Sequence, residues 1–454
     1  METVLNHIEI HASDYLRDLV RLCRQPSISA QGLGLQEMAR LCVEVMGEYG
    51  VQARLLPVPG GPPAVYGERT GTSGRTLLFY DHYDVQPPEP LDLWESPPFE
   101  PTFRDNSLFA RGVADNKGNF LSRLAAIKAW LDATGSLPAG VKFFLEGEEE
   151  VGSPHLAPFV EAHRDLLAAD ACIWESGGVN WRGQPTITLG LKGILYVELE
   201  ARGARRDIHS AQAATVVNPA WRLVWALASL KDQQENVLMD GFYDQVRPAS
   251  PEEMEAARRM PSEEEQTKES LGISSYLLGL TGEHLRFRSL FAPTCTICGL
   301  WSGYTGEGAK TVLPCVARAK IDFRLVPDMD PTDILAKLRR HLEAHGFGDI
   351  AIRALDMGER PWRTPLDHPF VRVVADAARR VYGQEPIISP TMTGSGPMYP
   401  FGAMLGVPIA SAGTSYPDSR AHAPNEHIRV EDFILGTKHI AAILALMAEQ
   451  TQSP

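Results

Sequence analysis

Four glutamates fall within five positions, Glu146, Glu148, Glu149 and Glu150, directly after the largely apolar run Val141–Leu145. Crowded carboxylates repel one another, and a half-buried strand end is a poor place for them. A hard or borderline metal ion would supply the missing positive charge; the plainer alternative is a solvated acidic turn. Other residues bear on the choice. His82 and Asp84 end the strand-like run Arg75–Tyr80 and, two apart in extended chain, share a face. A metal-bound histidine commonly has its ring oriented by a carboxylate, so this pair suits a metal as well as it suits a buried, satisfied histidine. Asp115 precedes the apolar pattern of 119–131, either as a helix N-cap or as a carboxylate bridging two metals. Glu175 ends the short apolar run Ala171–Trp174, and His422 opens the polar turn His422-Ala-Pro-Asn-Glu426. His82, the glutamates and Glu175 each lie at the C-terminal end of an expected strand, the edge where open α/β sheets form their sites. One such placement is unremarkable, but three are hard to explain as solvated loop ends.

The elements that must hold these residues read as an α/β chain. Apolar spacing predicts helices over 3–23, 35–49, 119–131, 154–168, 368–382 and 430–449. Short apolar strands are expected at 53–57, 75–80, 141–145, 171–175 and 407–410. From about 193 the character changes. A half-exposed strand at 194–201 is followed by helix 218–231, with Pro219 at its first position. An acidic stretch at 251–269 reads as a helical insertion. Strands 294–300 and 317–325, helix 331–345 and strand 349–355 complete a small α+β sandwich. The expected organisation is a first domain in two parts, 1–192 and 357–454, interrupted by a second at 193–356.

Composition narrows the class. The 454 residues are 44% hydrophobic and 22% charged, as in ordinary globular proteins, and suffice for more than one domain. A net charge of −14 disfavours nucleic acid and anionic membranes as partners. No run is long enough to span a membrane, and no signal peptide is evident. The six scattered cysteines fit reduced thiols and a cytoplasmic location. Cys295 and Cys298 should point to opposite faces of a strand, which argues against a C-x-x-C metal or redox site. There is no Gly-x-Ser-x-Gly elbow for a serine hydrolase.

In order and over nearly the whole chain, these motifs resemble those of the aminoacylase/carnosine-dipeptidase/carboxypeptidase G family of dinuclear zinc metallopeptidases. Acetylornithine deacetylase and succinyl-diaminopimelate desuccinylase are relatives. The loops Asp84-Val-Gln-Pro87, Trp94–Phe99 and Gly303–Pro314 are closest in tone to the dipeptidase branch. The resemblance implies a zinc-exopeptidase-like catalytic domain, with a mixed sheet and helices on both faces, and an inserted lid and dimerisation domain. It implies two zinc ions, with cobalt or manganese as substitutes. His82 and Glu175 would hold one, Glu150 and His422 the other, and Asp115 would bridge them before a cis peptide to Asn116. Asp84 would orient His82, and Glu149 would be the general base. His209, often supplied by the other subunit of a homodimer, would stabilise the oxyanion. Arg324 would grip a substrate carboxylate, with Thr311 and Ser395 as further contacts.

The chain departs from the family pattern at Asp81 and Thr393, where many members have glycine, and at Ala423, where serine is usual. No ligand is lost. Glu175 is aspartate in many dipeptidase relatives, so it leans towards carboxypeptidase or acylase activity. The expected activity is zinc-dependent hydrolysis of small peptides with a free carboxylate. The alternatives are an N-acyl-amino-acid amidohydrolase and, more remotely, a non-catalytic binding protein on the same fold.

Overall fold

Leu77, Leu78, Phe79 and Tyr80 are four large apolar residues in succession, and all four are buried. Such a run must be covered on both faces, as in a parallel strand between layers of helix. In the computed structural model, which describes residues 1–355 and 358–450, it belongs to the strand Thr76–His82. Side chains alternate between faces along a strand. Leu77 and Phe79 accordingly join a core built with the helices Gly118–Thr134 and Val430–Glu449, while Leu78 and Tyr80 join another with Leu156, Phe159 and Phe401.

The strand is internal to a six-stranded mixed sheet. Strand order is Gln52–Leu56, Ala64–Arg69, Gly140–Glu146, Thr76–His82, Ala171–Trp174 and Ile409–Ser411. The first two pairings are antiparallel and the remaining three parallel. The register sets His82 opposite Glu146 and Phe79 opposite Ile173. Three neighbouring strands therefore end at one level and deliver His82, the glutamate turn and Glu175 to one edge.

The expected sandwich is present as a four-stranded antiparallel sheet ordered Thr294–Ser302, Val316–Leu325, Gly193–Arg202 and Ala351–Ala354. Burial alternates strictly along Val316–Leu325, and the buried face packs against the helices Pro219–Leu230 and Pro331–Ala344. The acidic stretch is helical at Pro251–Arg259, where Ser250 and Glu253 form a capping box, and at Glu264–Leu271. A further helix, Gly282–Phe291, follows. Cys295 is buried and Cys298 exposed, on opposite faces as expected. The expected boundary at 356/357 lies outside the described residues.

Two expected helices are divided. The opening one breaks at His11 into Glu2–Ile10 and Ala12–Arg24. Both halves pack against the helix Gly118–Thr134, but the first also meets Val430–Glu449 and the second Leu35–Glu48. The helix expected over 154–168 splits at His163 into Leu156–Ala162 and Arg164–Leu167. There the imidazole stacks on Phe159 and bonds to that residue's carbonyl, competing with the backbone ladder.

Candidate metal centre

At the shared edge, the His82 ring is buried with each nitrogen facing a carboxylate. Nε2 lies 3.0 Å from Asp115 Oδ1, and Nδ1 lies 3.3 Å from Asp84 Oδ1 and 3.1 Å from the Asp84 carbonyl. Asp84 is wholly buried and also accepts the backbone N–H groups of Glu149 (3.3 Å) and Glu150 (3.1 Å). One carboxylate thus ties the histidine to the glutamate turn.

Asp115 faces two histidines at once. Its Oδ1 meets His82, and its Oδ2 lies 3.0 Å from His422 Nε2. The peptide to Asn116 is cis, as the resemblance implied. The preceding loop is held by Glu426, a buried carboxylate that accepts the N–H groups of Gly112, Ala114 and Asp115 and pairs with Arg111 at 2.7 Å. His422 itself sits in the left-handed region, at φ +62°. Its Nε2 also lies 3.1 Å from Glu150 Oε2, which accepts from Gln86 at 2.8 Å. Glu175 brings Oε2 to 4.0 Å from His82 Nε2, and among the described residues that buried oxygen has no hydrogen-bond donor. The Glu175 carbonyl is held by the Asn116 amide at 2.9 Å.

Of the four clustered glutamates, Glu150 meets His422, and Glu149 lies within electrostatic reach of His82 and Asp115. Glu146 turns inward to Tyr80 and Ser153, and burial pushes its carboxyl up to about 8. Glu148 pairs with His155 at 2.7 Å.

The electrostatics are those of a site that binds positive charge. Burial, with Asp115 and Glu150 adding their charge, pushes Glu149 well above the usual carboxylate range against the pull of His82. Glu175 is raised by burial and by Glu149. Burial alone would lower His82, yet Asp115 and Asp84 raise it well above an ordinary histidine; Asp115 and Glu150 raise His422 to about 10. The surplus of buried negative charge calls for positive charge, which a divalent cation would supply. Ligand atoms of His82, Asp115 and Glu150 lie within 4.8 Å of one another. Two imidazoles and several carboxylates, one with an orphaned buried oxygen, form a donor set that fits a borderline divalent metal.

The remaining expected residues form two other groups. Arg324 donates to Ser395 Oγ at 2.9 Å and pairs with Asp322 at 3.0 Å. Ser395 donates in turn to the Gly193 carbonyl. His209 is exposed, its Nδ1 accepting the Ala211 N–H; it pairs with Val312, beside Thr311, whose carbonyl accepts the Ser210 N–H. Among the described residues, neither His209 nor Thr311 has a hydrogen bond or ion pair with the cluster.

Sequence reasoning did not single out Gln86, Glu426 or Arg123. Arg123 is fully buried in the helix Gly118–Thr134. It pairs with Asp81 and donates to the carbonyls of Tyr80 and Trp174, next to the strand ends that carry His82 and Glu175. A charged residue amid the apolar positions of that helix was the available signal.

Comparison with known proteins agrees with the geometry. Residues 78–446 match the family description Peptidase family M20/M25/M40. The chain is 28% identical over 477 residues to the human Beta-Ala-His dipeptidase, covering 99% of this chain and 93% of that protein. It is 29% identical to the Cys-Gly metallodipeptidase dug1 of Schizosaccharomyces pombe, covering 83% of this chain and 81% of that one. It is also similar to the crystal structure of an M20 family metallo-carboxypeptidase, Sso-CP2, from Sulfolobus solfataricus. That likeness has a TM-score of 0.91 and 39% identity, over 96% of this chain and 99% of that one. The chain belongs to peptidase family M20/M25/M40, and with it to the hydrolases of peptide bonds.

Proposed function

We propose that this protein is a zinc-dependent exopeptidase that hydrolyses small peptides bearing a free C-terminal carboxylate. The observation that carries the reading is Asp115, whose two oxygens each meet a histidine while Glu150 and the unpartnered Glu175 oxygen stand beside them. His82, Asp115 and Glu175 would hold one zinc ion, and Asp115, Glu150 and His422 a second, with cobalt or manganese as substitutes. When bound, the metal acidifies water and polarises the scissile carbonyl. Glu149, as the ionised carboxylate, would take the proton of the attacking water and pass it to the leaving amine. Asp84 fixes the His82 ring and, through its bonds to the Glu149 and Glu150 amides, the position of the base. Arg324, with Ser395 at its guanidinium, grips the carboxylate through its planar fork.

His209 would donate to the oxyanion, with Thr311 beside it. Because both are exposed away from the cluster, the reading assigns them to the cluster of a second copy, in a homodimer joined through a lid of residues 193–356. Exposed Trp221, Trp225 and Leu300 in that region supply apolar surface for such a contact. The catalytic domain would comprise 1–192 and 357–454. A cytoplasmic location is supported by six cysteines that are all free. Among the described residues, no helix is long and apolar enough to cross a membrane.

Glutamate at position 175 favours one alternative, hydrolysis of N-acyl amino acids with the same metals. Mass spectrometry on a panel of dipeptides and N-acyl amino acids sharing their C-terminal residues, with zinc-loaded and chelated protein, separates the two. Zinc-dependent cleavage of dipeptides is expected. Preference for acyl compounds would replace the reading with a deacylase. Inertness of zinc-loaded protein towards the whole panel would favour a binding protein.

A further inference from the structure

We infer that the segment 251–291 forms the outer wall of a pocket for the side chain of the substrate's C-terminal residue, and that this pocket selects large apolar side chains. The inference rests on the exopeptidase reading and gives the insertion a role in specificity. A cavity of about 670 Å³ lies between that segment and the catalytic unit. This is within the range of roughly 300–1,000 Å³ found for small-molecule sites. Met260, Leu285 and Leu290 line it from the insertion, and Val179, Ile387 and Met392 from the opposite side.

Two of its lining residues indicate what the cavity serves. Ser176 directly follows Glu175 in the chain. Thr393 stands two residues before Ser395, whose hydroxyl meets Arg324. An exopeptidase substrate spans the metal centre and the grip, its scissile carbonyl at the centre and its carboxylate at Arg324. Between the scissile nitrogen and that carboxylate lies a single Cα, that of the last residue. The side chain leaving that atom is therefore the part of the substrate placed to enter a cavity lined by chain neighbours of both.

The wall is fastened to the carboxylate grip. Lys192 is buried, its Nζ donates to the carbonyls of Ser289 and Ala292 at the end of the helix Gly282–Phe291, and its backbone N–H donates to Gly394. One residue thus holds the insertion in register with the loop carrying Ser395. Two of the charges on the wall are engaged: Arg286 donates to the carbonyls of Ala257 and Arg258, and Glu264 accepts from Ser262 and the Gly282 N–H. The Glu263 carboxylate also lines the cavity and opposes acidic side chains, which leaves the apolar lining to favour large apolar ones.

The test compares kcat/KM of zinc-loaded protein on Ala-Phe, Ala-Gly and Phe-Gly. The natural chain should favour Ala-Phe over Ala-Gly. Leu285→Trp fills the cavity from the insertion and Met392→Trp from the opposite wall; Met392 is exposed enough to accept the change without refolding the core. In each variant the Ala-Phe to Ala-Gly ratio should fall about tenfold or more, chiefly through KM, since an apolar pocket discriminates side chains by roughly that factor. The Phe-Gly to Ala-Gly ratio should hold. Unchanged Ala-Phe selectivity in both variants, or a loss confined to Phe-Gly, overturns the inference while leaving the exopeptidase reading intact. Failure of the natural chain to cleave any of the three peptides overturns both.

Discussion

Replacing Asp81 with asparagine leaves the Arg123 guanidinium without a counter-charge in a position closed to solvent. The pair is 2.5 Å apart, and both side chains are 0% exposed. Arg123 also donates to the Tyr80 carbonyl at 2.7 Å and the Trp174 carbonyl at 2.6 Å. It therefore pins two adjacent strand ends, one carrying His82 and the other Glu175. Removing one partner of a buried pair costs about 3–5 kcal/mol, whereas replacing both by apolar groups is often close to neutral. Burial pushes the Asp81 carboxyl up to about 6 even beside Arg123, so the ionised pair is not itself a strong net stabiliser. Asp81→Asn, Asp81→Leu and Arg123→Met should each lose about 3–5 kcal/mol, and the double variant Asp81→Leu/Arg123→Met less than either of its two single changes. Chemical denaturation gives the stabilities, and chelator competition gives zinc affinity, which should fall in the single variants as the spacing of His82 and Glu175 relaxes. Single losses that add in the double variant to within about 0.5 kcal/mol would refute the reasoning.

Glu149→Gln should retain zinc while kcat drops by roughly 10²–10⁴, the usual contribution of a positioned base, and full activity would remove that role. His209→Ala should lower turnover about a hundredfold with zinc content unchanged, as for the loss of an oxyanion donor. Mixing His209→Ala with Glu149→Gln subunits should restore part of the activity, because a shared site then combines an intact base with an intact histidine; no recovery after verified exchange would sink the cross-subunit assignment. His439 is buried in the closing helix, bonded to the Val374 carbonyl, and burial lowers it to about 4. Its unfolded form titrates near 6.5, so its share of stability is complete above that pH and is lost as pH falls towards 4, by about 3 kcal/mol. His439→Gln should flatten that part of a stability–pH profile, and an unaltered slope would contradict the burial argument.

Residues at strand ends were legible because an apolar run followed by a polar side chain marks both the strand and its exit. His82, Glu149, Glu150 and Glu175 were found that way. Asp115 was legible from its place before an apolar helical pattern, though an N-cap read equally well; His422 lies in a loop without periodicity, and only the likeness of its surrounding motif to a family gave it a role. Glu426 carries no pattern of its own: its role comes from three amides more than 300 residues away in sequence. The Asp81–Arg123 pair joins a strand to a helix in a register that chain spacing does not reveal. The division of the opening helix at His11 was hidden for a similar reason, since both halves keep a helical apolar pattern and only their partners differ.

Asp115 and His422 meet across 307 positions, and Arg111 and Glu426 across 315. During synthesis, a ribosome that has made the first half of the chain has already produced His82, Asp115, the glutamate turn and Glu175. It has not made the outermost strand Ile409–Ser411, the second histidine, or the carboxylate that holds the Asp115 loop. A chain that stops short of residue 422 would lack both the second histidine and the carboxylate that holds the Asp115 loop, and so could not complete the proposed centre.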